Sequence, residues 1–325
     1  LNCVITFSSC SNTKENMTPV KIGINEWTGY DPLILADKID LFKKNNVQVD
    51  IVRFKTTEEE MQALKDEEIH GAGFTLDEVF SLVASGFKGK VVLIVDYSMG
   101  GDMIIGQKDI KSIADLQGKT IAYEGSVVGE FLLNRALQTN YIRESSVKLS
   151  NINADKWLSA FKEKNVDALV CFNPIANVLL NEQEGNLLFS SADIPFEIID
   201  VLIFSESFYQ NNKADIKNLV KAWFDVLTYI NTNTIKAAEI ISSVKNISPE
   251  EYTQGQKGLI APNLKANKSN FDSKSDENIY KHSQVIVNYM LSKGLLVNVI
   301  NSADLFQSEI IFEIDKEKEK QELNK

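Results

Sequence analysis

One short run, Lys90–Val95 (KVVLIV), constrains the fold more than any other feature. A strand this continuously apolar must be buried on both faces, as in the middle of a sheet that helices cover on each side. The flanking pattern agrees. Val20–Asn25 (VKIGIN) reads as a strand, followed by the loop EWTGYDP and a helical stretch from Leu33 to Asn45. Val47–Phe54 alternates as a second strand. Thr56, Thr57 and the acidic Glu58–Glu60 open a helix that Met61, Ala63 and Leu64 continue. Ile69–Phe74 is a short buried strand, and Thr75, three residues before Glu78, has the capping-box spacing that opens a further helix. Strand and helix in alternation predict a parallel α/β sheet.

A second series follows. Ser112–Leu116 reads as a short helix and Lys119–Tyr123 as a strand; Gly125-Ser126 open a helix, and Val147–Ile152, Val166–Phe172 and Val201–Phe204 are further strands. From Lys213 onward the chain is helical, and its last segment, EIDKEKEKQELNK, reads as a solvated, frayed helix end. A length of 325 residues leaves room for two ordinary domains. With 34 Lys and Arg against 45 Asp and Glu, the net charge of −11 disfavours nucleic-acid binding. No apolar run reaches the roughly 18 residues that a membrane span needs. Three cysteines, two of them in the first ten residues, cannot build a disulfide framework or a dense metal cluster.

The start, LNCVITFSSCSNTKENMTP, reads as the back half of a bacterial export signal: an apolar stretch, small residues, then a polar spacer. It resembles a lipoprotein signal with Cys10 as the lipidated residue, which implies an exported, lipid-anchored protein.

In open α/β sheets ligands bind beyond the carboxyl ends of the strands. The loops expected there are Asn25–Asp31, Thr75–Asp77, Asp96–Asp102, Glu124–Gly129 and Cys171–Ala176. They hold Glu26, Asp31, Asp77, Asp96, Asp102 and Glu124, with Trp27, Tyr30, Tyr97 and Phe172, and no Lys, Arg or His. Carboxylates and aromatic faces suit a cationic or nitrogen-rich ligand. Helix N-termini at Thr75–Asp77 and Gly125–Val127 could equally hold an anion through backbone N–H groups. Plainer roles also stand: Thr75 and Ser126 as caps, Gly100-Gly101 as a turn, Asn173-Pro174 as entry to a helix. Catalysis finds little support. His70 and His282 are isolated, Cys171 lies between Val170 and Phe172, and no nucleophile, zinc-protease or phosphate-loop motif occurs.

The ordered series VKIGINEWTGYDPLILADKIDLFKKNNVQVDIV, GAGFTLDEVFSLVASG, VVLIVDYSMGGDMIIG, SIADLQGKTIAYEGSVVGEFLL, DALVCFNPIANVLL and PFEIIDVLIFS resembles the solute-binding proteins of ABC importers. The similar group is the nitrate/sulfonate/taurine and thiamine-precursor type, over Val20 to Ile311. The resemblance implies a two-lobe periplasmic-binding-protein (type II) fold, each lobe a mainly parallel sheet flanked by helices. Residues 1–19 would be signal remnant and spacer, 20–106 plus 202–312 the first lobe, 107–201 the second, and 313–325 a charged tail. Two crossings near Gly106–Gln107 and Asp200–Val201 would form the hinge. Carried over by position, the ligand contacts would be Trp27, Tyr30, Thr75, Asp77, Asp102, Ser126 and Asn173, with neither metal nor cofactor. Where many members have a W-E-P-like triplet, this chain has Phe172-Asn173-Pro174. The implied role is a monomeric, periplasmic or extracytoplasmic protein that delivers a small nitrogenous solute to an ABC permease. Competing readings are an enzyme on the same fold (a pyrimidine-precursor synthase or menaquinone-pathway lyase), a ligand-sensing partner of a receptor, and nitrate, sulfonate or taurine as ligand.

Overall fold

A computed structural model describes residues 18–323 except 126, 277 and 299. The apolar run becomes β4 (Gly89–Ser98), in which Val91, Val92, Leu93 and Ile94 are all fully buried. It lies in a six-stranded sheet with β1 (Val20–Ile24), β2 (Val49–Arg53), β3 (Gly71–Thr75), β10 (Ile199–Ser205) and β11 (Leu259–Ile260), in the order β11-β4-β10-β3-β1-β2. The second sheet holds β5 (Asp102–Gln107), β6 (Thr120–Tyr123), β7 (Lys148–Asn151), β8 (Ala168–Phe172) and β9 (Gly185–Ser190), in the order β7-β6-β8-β5-β9.

Both sheets are mixed, where mainly parallel ones were expected. β1 runs parallel to β2 and β3, and β6 parallel to β7 and β8, but β10 is antiparallel to β3 and β4, and β5 to β8 and β9. β5 and β10 are the first strands laid down after the chain changes sheets. No crossover helix turns the chain round at either place, so neither strand is forced parallel.

The sheet changes fall at Met99–Gly101 and across residues 191–198, ahead of the positions expected near Gly106 and Asp200. Ser191 Oγ ties the two together: it lies 2.8 Å from Ser98 Oγ and accepts from Gly100 N at 2.7 Å. Away from these crossings, the helix Val127–Thr139 of the second half meets the helix Ile279–Ser292 of the first, with Phe131 edge-on to Tyr289 at 5.0 Å. Beside that contact, Lys293 pairs with Glu144.

The last described residues are helical, where a frayed end was expected. Glu309–Leu323 is a helix whose Ile310, Ile311 and Ile314 are buried. Its acidic edge pairs with the helix Lys213–Thr232: Lys213 with Glu309 at 2.6 Å, Lys217 with Glu313 and Glu317 at 3.2 and 3.1 Å, and Lys221 with Glu317 at 3.4 Å. Among the described residues no helix is long and apolar enough to cross a membrane.

Candidate functional site

A cavity of about 190 Å³ opens between the two sheets. Its first wall is built on three neighbouring strands. Asp200 on β10 is the register partner of Asp96 on β4 and of Thr75 on β3, so the three side chains project from one row on one face. Asp200 and Thr75 line the cavity, with Glu78 from the helix that Thr75 caps.

The turn after β1 covers this row. Thr28–Tyr30 is a 3-10 turn running into the helix Asp31–Lys38, which has Pro32 in its first turn. Tyr30 OH donates to Asp200 Oδ1 at 2.5 Å, and Trp27 Nε1 donates to Asp96 Oδ2 at 3.2 Å. Two glycines permit this approach. A Cβ on Gly29 would stand 1.8 Å from Asp96 Oδ2, and one on Gly73 would stand 2.6 Å from Tyr30 Cε1. The turn is pinned from behind, where Thr28 Oγ1 donates to Asp31 at 2.8 Å, Lys245 pairs with Asp31 at 3.0 Å, and Gln256 donates to Thr28 Oγ1 at 2.9 Å.

Burial sets the electrostatics of the carboxylates. Asp102 is pushed up to about 6, by burial and then by the charge of Asp77. Burial also lifts Asp77 to about 6. Glu78 rises to about 8 through burial and Asp77, and Asp96 to about 8 through burial and Asp102, against the pull of the Trp27 N–H. Asp200 is raised well above the usual carboxylate range by burial and then by Asp96. Four oxygens, Asp77 Oδ2, Asp96 Oδ1, Asp200 Oδ2 and Asn173 Oδ1, have no hydrogen-bond partner.

The second wall is aromatic. Phe172, on β8, stands edge-on to Trp27 at 5.6 Å and to Trp157 at 5.3 Å. Trp157 Nε1 donates to Ile152 O at 2.8 Å. Both indole N–H groups are therefore satisfied within the protein, and the tryptophans offer a ligand ring surface alone. Asp102, the first residue of β5, pairs in register with Phe172 and brings a carboxylate into this wall. Glu124 also lines the cavity, its carboxyl raised by burial and then by Glu58 and Asp155.

Of the expected ligand contacts, Trp27, Tyr30, Thr75 and Asp102 line the cavity. Asp77 and Asn173 are buried and not among the lining residues. Ser126 and Cys10 lie outside the described residues. The expectation of a cation-free rim fails at one place: Lys55, in the loop after β2, lines the cavity. That loop was left out of the strand-end set, although its strand alternates as clearly as the others. Glu78, Trp157 and Asp200 were also missed. Glu78 was read only as a capping partner, and Asp200 only as a hinge position.

His70 lies at the far end of β3, where its Nδ1 accepts from Lys21 N at 3.0 Å and its ring stacks on Phe208 at 4.3 Å. Cys171 is buried, and burial pushes its thiol far up. Among the described residues no group of His, Cys, Asp or Glu is arranged to hold a metal ion.

The chain is 27% identical over 192 residues to a Brucella abortus (strain 2308) protein that carries only a provisional name as a binding protein. The match covers 57% of this chain and 57% of that protein, so it spans a little over half the length of the curated relative. In three dimensions the chain is similar to the periplasmic aliphatic sulphonate binding protein SsuA of Escherichia coli, at 15% identity and a TM-score of 0.75, covering 90% of this chain and 99% of that one. It is likewise similar to the periplasmic nitrate-binding protein NrtA of Synechocystis PCC 6803, at 12% identity and a TM-score of 0.71, covering 92% and 88%. The fold is thus that of periplasmic binding proteins. With residues 13–245 matched, the chain belongs to the NMT1-like family.

Proposed function

We propose that the protein is an extracytoplasmic substrate-binding protein that captures a small nitrogenous solute, an amine or a heteroaromatic, and delivers it to the permease of an ABC importer. One observation carries the ligand class. The cavity joins lining carboxylates, among them Asp200 with its open Oδ2, to an aromatic wall whose indole N–H groups are already used. A cationic or N–H-rich group would satisfy those carboxylates and lie against the rings. A sulfonate or nitrate would meet Glu78, Asp102 and Asp200 instead. The solved neighbours named for those anions share the architecture.

In this reading the two sheets are the cores of two lobes that close about Met99–Gly101 and residues 191–198. The ligand stabilises the closed form by the free energy of contacts made only there. Export and a lipid anchor on Cys10 complete the proposal.

Native mass spectrometry of freshly purified protein identifies the carried-over solute, and the expected find is a nitrogenous cation or heteroaromatic. Recovery of nitrate or a sulfonate sinks the ligand class. Solution scattering with the recovered solute is expected to show compaction; an unchanged radius of gyration removes the closing mechanism.

A further inference from the structure

The least explained groups in the molecule are two carboxylates, Asp200, which lines the cavity, and Asp96, its buried register partner outside the lining. Asp96 and Asp200 are register partners on adjacent antiparallel strands, each about 1% exposed. Each is held on one oxygen by an aromatic donor, Trp27 Nε1 or Tyr30 OH, and each leaves the other oxygen unpartnered. The groups acting on them are Asp102, Glu78 and each other, besides those two donors. Among the described residues no cation is paired with them. Lys245 is committed to Asp31, Arg53 to Glu26, and Lys55 stands exposed among the lining residues. Two unpaired charges so close in a dry setting do not both persist, and one proton held between them removes the repulsion.

We propose that Asp200, paired with Asp96, is the anchor for the ligand's positively charged nitrogen, and that the pair gives up one shared proton to solvent as that nitrogen enters. This rests on the cationic-solute reading above and names the residues and the proton exchange that reading lacks. No covalent bond changes. The ligand's N–H groups donate to Asp200 Oδ2, the proton shared with Asp96 leaves to water, and the pocket's charge stays balanced. The upward displacement of both carboxyls supports a proton resident in the empty site. Affinity for a cation then rises with pH, by up to about tenfold per pH unit while the pair is still protonated.

The test uses benzamidinium, a flat aromatic cation with a pair of N–H donors, and benzamide, its neutral counterpart. Carboxyl NMR of the empty, aspartate-labelled protein is expected to show the Asp96–Asp200 pair holding its proton above the raised steps of Asp77 and Asp102. Calorimetry near neutral pH, in two buffers of different ionisation heat, is expected to count about one proton released per benzamidinium. Benzamide should release none. Asp200→Asn should weaken benzamidinium about 100-fold and abolish the release, while Glu313→Gln, in the terminal ladder far from the cavity, leaves the release in place.

The proposal is overturned if all aspartates titrate in the ordinary range, a result that needs no variant to fold. It is overturned equally if benzamidinium fails to bind, binds without releasing a proton, or binds Asp200→Asn as tightly as the unsubstituted protein. A protein that compacts around its own carried-over solute without releasing a proton keeps the binding-protein reading and loses this one.

Discussion

The two walls of the cavity differ in how they are supported. The first belongs to the large core: all seven residues of β10 are buried, and the carboxylates stand on strands packed on both faces. The second sheet shares one face with that core through Ile104, Ile121 and Val170. Its other face makes a small separate core around Trp157 and Phe161. Its edges are open, with Leu149 on β7 and Leu187 on β9 at 40% and 49% exposure. Buried carboxylates with unmade hydrogen bonds require rigid surroundings, because a yielding wall would relax or admit water. Aromatic cover requires only area and shape. The buried carboxylates with open oxygens on β4 and β10 thus stand in the stiff half, while the light half combines Phe172 and Trp157 with Asp102 and Glu124.

Paired truncations give the largest expected contrast. Trp27→Ala removes a buried indole and the donor that steadies Asp96, and is expected to cost about 3–4 kcal/mol in chemical denaturation. Phe172→Ala, on the thinner wall, is expected to cost only about 1–2 kcal/mol, chiefly two edge contacts and partial burial. Equal losses would break the comparison.

The pH dependence of the empty protein comes next. The raised carboxyls hold protons in the native state that the unfolded chain releases above about pH 4. Stability is complete below that point, then falls toward pH 6 as Asp77 and Asp102 ionise and further toward pH 8 with Glu78 and Asp96. Urea unfolding at about pH 5 and pH 8 should differ by roughly 2–3 kcal/mol, the acid side being the more stable. Asp96→Asn should flatten that slope, whereas Glu124→Gln on the opposite wall should leave most of it. A flat profile in the unsubstituted protein would place the charge strain elsewhere.

The smallest effect belongs far from either wall. Lys217→Ala in the terminal ladder should change stability by less than about 1 kcal/mol, because its pairs are part-exposed. A larger loss in thermal unfolding would mean that the terminal helix supports the first wall.

Much of the fold was legible because period and punctuation are local signals. The run at Val91–Val95, the capping box at Thr75 and Glu78, and the W-T-G-Y-D-P turn all appear where the sequence places them. The sheet changes were not legible. β5 follows β4 after only three residues, and DYSMGGD reads as one loop when its first three residues are strand and its Asp102 begins the next. The site was half legible for a related reason. Trp27, Tyr30 and Asp102 sit in stretches rich in turn signals, whereas Asp200 becomes a floor residue only because β10 inserts between β3 and β4. Strand order is a property of long-range pairing, and no window of sequence contains it.

The terminal ladder has one further consequence. Its lysines fall at 213, 217 and 221 and its glutamates at 309, 313 and 317, the same four-residue spacing on both helices. Sliding the last helix by about one turn, roughly 5–6 Å, would set Lys217 against Glu309 and Lys221 against Glu313, leaving Lys213 without its glutamate and carrying Glu317 toward Asp225. Two of the ionic teeth can re-pair after such a slide, so the ladder by itself defines position only weakly. What forbids the slide is the seating of Ile310, Ile311 and Ile314, which would be pulled from their sockets. The charged edge grips and the apolar edge measures.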